Sequence, residues 1–196
     1  GGGGKTIAMA AMMENKGQIF SHDIDGRRLS ALIPRIERAG IRNVQLRHPK
    51  ENASLDDLEG KMDLVMIDAP CTGVGTWRRK PDAKWRVQPN ALEKRIGDQA
   101  MILRAAGNYV KPGGRLVYVT CSFLMEENED QFASFLADRP DFKAEDAADT
   151  AIRSGQLTEK GAALLRKCRR PDGSVRLTPR TAGTDGFYMA VMRRVG

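Results

Sequence analysis

"LVMIDAPCTGVG", Leu64 to Gly75, is the stretch whose reading decides the fold. With the two residues before it, it begins as an apolar run, "MDLVMID", of strand length and of the kind found in a buried parallel sheet. An aspartate and a proline end the run, and a cysteine follows in a loop with two glycines. A thiol just past a strand end is either a small core filler or a nucleophile held at the rim of a sheet.

Elements of both kinds alternate on either side. "KTIAMAAMMENKG" reads as a helix stopped at Gly17, and "QIFSHD" as a short strand. "GRRLSALIPRIERAG" spaces Leu29, Leu32, Ile33 and Ile36 as a helix does, with Pro34 marking a kink or a late start. "IRNVQL" reads as a strand, and residues 49–62 as a polar connection with room for a short helix. Residues 76–90 form a basic loop, "ALEKRIGDQAMILRAAGNYV" a long helix stopped by the turn signal "KPGG", and "RLVYVTCS" a strand. "EENEDQFASFLADR" is helical and "GFYMAVMRR" a closing strand, while residues 141–184 carry no clear pattern. Strands alternating with helices predict an α/β fold with a doubly wound, parallel sheet, which binds ligands outside the carboxyl ends of its strands. The glycine-rich start, Asp23, "DAPC" and "TCS" all fall at such ends or at the first helix start.

The opening "GGGGKT" admits two readings. As the end of a Walker A loop it needs a glycine that would lie before Gly1, and "LVMID" would supply the Walker B strand. As a nucleoside-cofactor loop it lets the backbone approach a ligand at a helix N-terminus. Asp23 favours the second reading, because an acid about 20 residues after the glycines, past the next strand, is placed to hold a ribose. Its alternative is a helix-start acid, a task Asp25 can perform. A glycine loop normally follows a strand, so at least one strand is expected upstream of Gly1.

Cys71 and Cys121 stand at two strand ends that face one cleft; Cys168, in a basic stretch, reads as structural or incidental. A thiolate adding to C6 of cytosine makes C5 able to attack a methyl sulfonium, with Asp68 facing the base. Such a thiolate calls for a nearby cation, and Lys5, Arg78 and Arg79 are the candidates.

"GGGGKT", "SHDIDGRRL", "DLVMIDAPCTGVGTWRRKPDAKW", "KPGGRLVYVTCSFLMEENEDQ" and "GTDGFYMAVMRR" together resemble the RsmB/Nop2/Sun family of RNA cytosine-5 methyltransferases. The resemblance runs through nearly the whole chain and is weakest from about residue 140 to 175. It implies a Rossmann-like fold using S-adenosylmethionine, a mostly parallel sheet with an antiparallel C-terminal strand, and residues 1–196 as one catalytic domain. It implies Cys121 as the nucleophile, Cys71 as the group assisting release, and Lys5 and Asp68 as the rest of the catalytic core. Gly1, Gly2, Gly3, Gly4 and Lys5, with Asp23 and Asp68, would line the cofactor. Spacing alone leaves the two thiols interchangeable, and the Pro70-Cys71 pair is similar to the nucleophile motif of DNA cytosine-5 methyltransferases, which would reverse them. The chain departs from the family at Gly1 and Gly2, where Ala and Pro are common, and at Arg47-His48, where an aspartate usually meets the adenine side.

"TWRRKPDAKWR", Thr76 to Arg86, interleaves two tryptophans with five basic residues. Cations can hold phosphates and an aromatic ring can stack an unpaired base, so Arg78, Arg79, Lys80, Lys84 and Trp85 are candidate RNA contacts, with one tryptophan packed. The acids of "EENEDQ" read as helix-dipole partners without a catalytic role, and "GTDGF" as a turn. The net charge of +7 over 196 residues suits a nucleic-acid partner, here ribosomal RNA. Three unpaired cysteines point to a reducing compartment, the cytoplasm, and apolar runs far below ~20 residues give no helical span. A monomer with neither a metal nor a membrane partner is expected. The competing classes are a P-loop NTPase and a catalytically silent RNA-binding module.

Overall fold

A computed structural model describes residues 3–48 and 55–196 of the chain. The chain divides into two compact units, Gly1–Asp57 and Leu58–Gly196.

In the first unit, helix α1 (Gly4–Met12) leads to strand β1 (Ile19–His22), helices α2 (Gly26–Ser30) and α3 (Ile33–Arg38), and strand β2 (Val44–Arg47). β1 and β2 pair in parallel, Ile19 against Val44 through His22 against Arg47. The single helix expected over residues 26–40 is two. Asp25 caps α2 by accepting a hydrogen bond from the Arg27 N–H, and Pro34 sits in the first turn of α3, where its missing donor is harmless.

The second unit begins, after a short 3-10 turn, with strand β3 (Met62–Asp68), then helix α4 (Ala91–Tyr109) and strand β4 (Val110–Thr120). Helix α5 (Glu129–Asp138), strand β5 (Phe142–Glu145), helices α6 (Ala147–Arg153) and α7 (Glu159–Cys168), strand β6 (Val175–Leu177), helix α8 (Pro179–Ala182) and strand β7 (Phe187–Arg194) complete it. The sheet order is β3-β4-β7-β5, with β6 also on β7. β3 and β4 are parallel, and β7 runs antiparallel to β4, β5 and β6. A mostly parallel sheet with one reversed strand late in the sequence is therefore what the chain forms. β5 and β6 take successive lengths of the β7 edge that β4 leaves open.

Alternation along β4 and β7 divides the core in two. Leu116, Tyr118, Tyr188, Ala190 and Met192 face a cluster with Leu103 and Ala106 of α4 and Phe132 and Phe135 of α5. Val117 and Val191 point the other way, toward Ala147, Ala148, Cys168 and Val175. Both central strands are thus walled by helices on both faces, the condition that favours continuous apolar runs such as "RLVYV". "KPGG" does not separate α4 from β4 as expected. Met62 pairs with Val110 and Leu64 with Arg115, so these residues bulge out inside β4, with Gly113 at φ +78.

Candidate active site

Two parallel neighbours bring the thiols together. Asp68, the last residue of β3, pairs with Val119, and the Ala69 N–H donates to the Val119 carbonyl one step further on. Both chains leave the sheet at the same level, so Cys71 and Cys121, fifty positions apart, meet with their Sγ atoms 3.3 Å apart. Each is half-buried, whereas Cys168 lies in the core as expected.

The two sulfurs share a proton unequally. With Cys71 as the donor, the hydrogen bond between the sulfurs is the main cause of a Cys121 pKa lowered to about 7. Burial and the charges of Asp68 and Glu127 oppose the shift, while the Cys121 backbone N–H assists it. Holding the bridging proton drives Cys71 the opposite way, and burial adds to the rise. Of the expected cations, Arg78 and Arg79 are engaged elsewhere. Both face Asp185, whose side chain is 9% exposed; Arg79 bonds it directly and Arg78 stands 4.0 Å off.

Beneath the thiols lie two consecutive residues, Glu127 and Asn128, with no exposed surface. Glu127 accepts from the Thr72 backbone N–H at 2.7 Å, the Thr72 hydroxyl at 2.6 Å and the Gln99 amide at 3.2 Å. Gln99 donates also to the Pro70 carbonyl at 2.8 Å. Asn128 accepts from the Thr120 hydroxyl at 2.6 Å and donates to the Ser122 carbonyl at 3.1 Å. Tyr118 ties the pair to β4 through its hydroxyl, which donates to the Glu127 carbonyl at 2.7 Å. Glu127 precedes α5, so the helix-dipole role expected of the acidic run fails for it; its acid serves the Cys71 loop.

The basic loop is two 3-10 turns, Val74–Thr76 and Pro81–Arg86. Gly75 donates its N–H to the Cys121 carbonyl at 3.0 Å and accepts from the Gly186 N–H at 2.8 Å. A Cβ on Gly75 would come within 2.3 Å of the Gly186 carbonyl, so only glycine permits this backbone crossing. "GTDGF" is accordingly more than a turn: its Gly186 braces Gly75 in the loop that follows Cys71, and Gly75 in turn holds the Cys121 carbonyl. Trp77 is partly buried, while Trp85 is 80% exposed, with the Lys84 ammonium 4.7 Å from its ring centre.

In the first unit, Gly1 and Gly2 lie outside the described residues. Gly3 caps α1 in the left-handed region at φ +75, and a Cβ there would strike Leu32 at 2.1 Å. Among the described residues no side chain caps α1 and no acid occupies its first turn, and the first N–H groups of a helix have no intrahelical acceptor, an arrangement that suits an acidic ligand group. Asp23 follows β1 and accepts from the Asp25 N–H at 2.9 Å; since Asp25 does the capping, Asp23 is released from that duty. These residues suit the carboxylate and ribose of a nucleoside cofactor. Arg47, at the family's adenine-side position, is held by Asp57 at 2.7 Å and lies over Phe20, and His48 closes on the Gly26 carbonyl at 3.2 Å.

A family model described as 16S rRNA methyltransferase RsmB/F matches residues 1–193. The chain belongs to that RsmB/F family. Among curated relatives, the probable ribosomal RNA small subunit methyltransferase B of Bacillus subtilis is 32% identical over 195 residues, which cover 99% of this chain and 41% of the relative. The ribosomal RNA small subunit methyltransferase F of Aliivibrio salmonicida is also 32% identical, covering 98% and 38%. A crystal structure of NSun6 from Pyrococcus horikoshii with SFG, an analogue of S-adenosylmethionine, superposes with a TM-score of 0.74 at 27% identity, over 99% of this chain and 46% of that one. The chain spans about two fifths of the length of the relatives it matches.

Membership in the RsmB/F family removes the Walker reading, and the structure gives a local reason: the Thr6 hydroxyl, which a phosphate loop would turn to a metal ion, meets the Ser21 hydroxyl at 3.1 Å. Residues that the sequence reading did not single out are Gln99, Asn128, Thr72 and Asp185. The one available signal was "EEN" directly after a strand-end thiol, ahead of the helix rather than inside it.

Proposed function

We propose that residues 1–196 act as one catalytic domain that methylates C5 of a cytosine in ribosomal RNA through a covalent bond from Cys121. The observation that carries this reading is the pair of thiols 3.3 Å apart with opposed proton affinities. At a pKa of about 7, Cys121 is about half ionised near neutral pH, ready to add to an electron-poor ring carbon.

Cys121 Sγ forms a bond to C6, and the displaced π electrons make C5 nucleophilic. Asp68, at the exposed end of β3, holds the N3 and N4 edge of the base and so fixes C6 for the addition. Gly1 to Gly4, Lys5, Asp23 and Asp68 would hold S-adenosylmethionine, which would supply the methyl group that C5 takes as the sulfonium becomes a neutral thioether. Once Cys121 is alkylated it is no longer an anion beside Cys71, so the main reason for the raised Cys71 pKa disappears. Cys71 can then give its own proton to solvent and, as thiolate, take the proton from C5. The C5–H pair rebuilds the C5=C6 bond, and the S–C6 pair returns to Cys121 as thiolate. Arg78, Arg79, Lys80 and Lys84 meet phosphates and Trp85 stacks a base, while the target cytosine is turned out of its stack. Arg78 and Arg79 do so from the side left open by Asp185, both being more than half exposed.

The test is transfer of a labelled methyl group to RNA by the full chain, repeated with Cys121→Ser and Cys71→Ser. Cys121→Ser is expected to abolish transfer, and Cys71→Ser to accumulate a covalent protein–RNA adduct. An adduct in the Cys121 variant instead would reverse the two roles. Retained RNA binding with no transfer by the unaltered chain would leave a silent binding module.

A further inference from the structure

Each of the two consecutive buried residues under the thiols grips the residues flanking one cysteine. Glu127 holds Thr72, and through Gln99 it holds Pro70, so Cys71 is fixed from both sides. Asn128 holds Thr120 and Ser122, so Cys121 is fixed from both sides. We propose that Glu127 and Asn128 are positioning residues that set the sulfur–sulfur spacing, Glu127 governing the release step at Cys71 and Asn128 the attack step at Cys121. This rests on the function proposed above.

Three physical facts support the assignment. First, Glu127 is a carboxylate with no exposed surface, and among the described residues no salt bridge reaches it. Burying an uncompensated charge is costly, and an apolar residue would serve a merely structural role better. Second, all three donors to Glu127 come from Thr72 and Gln99, so its hydrogen bonds are spent on the Cys71 loop. Third, the side chain holding the nucleophile is neutral. A second carboxylate at position 128 would add to the anionic burden that Asp68 and Glu127 already place on the Cys121 thiolate. A carboxylate at 127 and an amide at 128 thus match a proton-holding thiol and an ionised one.

The test uses the full chain with the near-isosteric Glu127→Gln and Asn128→Asp, and with Thr72→Val, which deletes only one hydroxyl bond. Two readouts are taken beside thermal melting: the partition between trapped protein–RNA adduct and released methylated RNA, and capture of phenylarsine oxide, which needs two sulfurs close together. In Glu127→Gln, adduct should build up and release should slow about a hundredfold, the scale of a misplaced reacting group, with Thr72→Val moving the same way. In Asn128→Asp, adduct should fail to form. Both should lose arsenical capture by about tenfold, as when a supporting partner of a ligating group is lost. The proposal is overturned if folded variants keep the unaltered partition and capture, or if both slow attack and release in equal proportion. Should Glu127→Gln fail to fold, Thr72→Val decides the Cys71 half. Cys71→Ser runs alongside: if it traps no adduct, the reaction reading fails, and arsenical capture alone then upholds or overturns the spacing role.

Discussion

Cys121 and Cys71 stand side by side, yet they hang from very different supports. Cys121 follows β4, whose Leu116, Tyr118 and Thr120 have no exposed surface and which is paired on both edges. Cys71 follows β3, which pairs on one edge among the described residues and leaves Leu64 and Met66 exposed. Past the strand ends, a neutral amide holds the first thiol and a buried carboxylate the second. A nucleophile must meet its target at one fixed point, and a rigid neutral mount provides that without raising its pKa. A group that takes a proton later has to respond to a change of charge, and a loop gripped by hydrogen bonds suits that task.

The largest expected effect breaks this asymmetry outright. Cys121→Ser should lower methyl transfer at least ~10³-fold, whereas Cys71→Ser should allow one transfer and stall before release, measured as label in free RNA against label in adduct. Next come changes worth about 1–3 kcal/mol. Trp85→Ala should weaken RNA binding by that amount without altering the balance of adduct and product, because a stacking platform serves both steps alike. Gln99→Leu should destabilise the fold by about 1–3 kcal/mol in denaturant melts, since it leaves the Pro70 carbonyl and a Glu127 oxygen short of a donor.

Proton affinity sharpens the comparison further. Iodoacetamide labelling of Cys121 against pH, followed by peptide mass spectrometry, should show a midpoint near 7. Cys71→Ala removes the donor that stabilises the thiolate, so the midpoint should rise; Asp68→Asn removes an opposing negative charge, so it should fall. The smallest effect belongs to Tyr118→Phe, which deletes one buried hydrogen bond to the Glu127 carbonyl and should lower stability by about 1 kcal/mol.

The sequence displayed the sheet where signals were local. "MDLVMID" is strand over Met62–Asp68 as read, because an apolar run stopped by Asp-Ala-Pro has few alternatives. Residues 141–184 stayed opaque because β5 and β6 are four and three residues long and exist only by pairing with β7. The helices between them were marked only by the caps Asp146 and Thr158, each a single side chain. "KPGG" is a genuine break, but pairing of Val110 with Met62 carries the strand past it, which no local rule foretells. The meeting of the thiols followed from parallel strands ending level. The roles of Glu127 and Gln99 did not, since their partners lie 55 and 28 or 29 positions away.

One late strand has a bearing on how the chain acquires competence. β7 follows every other strand among the described residues, yet it lies between β4 and β5, and Gly186 just before it clasps Gly75, in the loop that follows Cys71 and itself bonds the Cys121 carbonyl. A growing polypeptide therefore holds both cysteines long before their surroundings are finished, and the reactive pair stays unassembled until this segment slots into the gap.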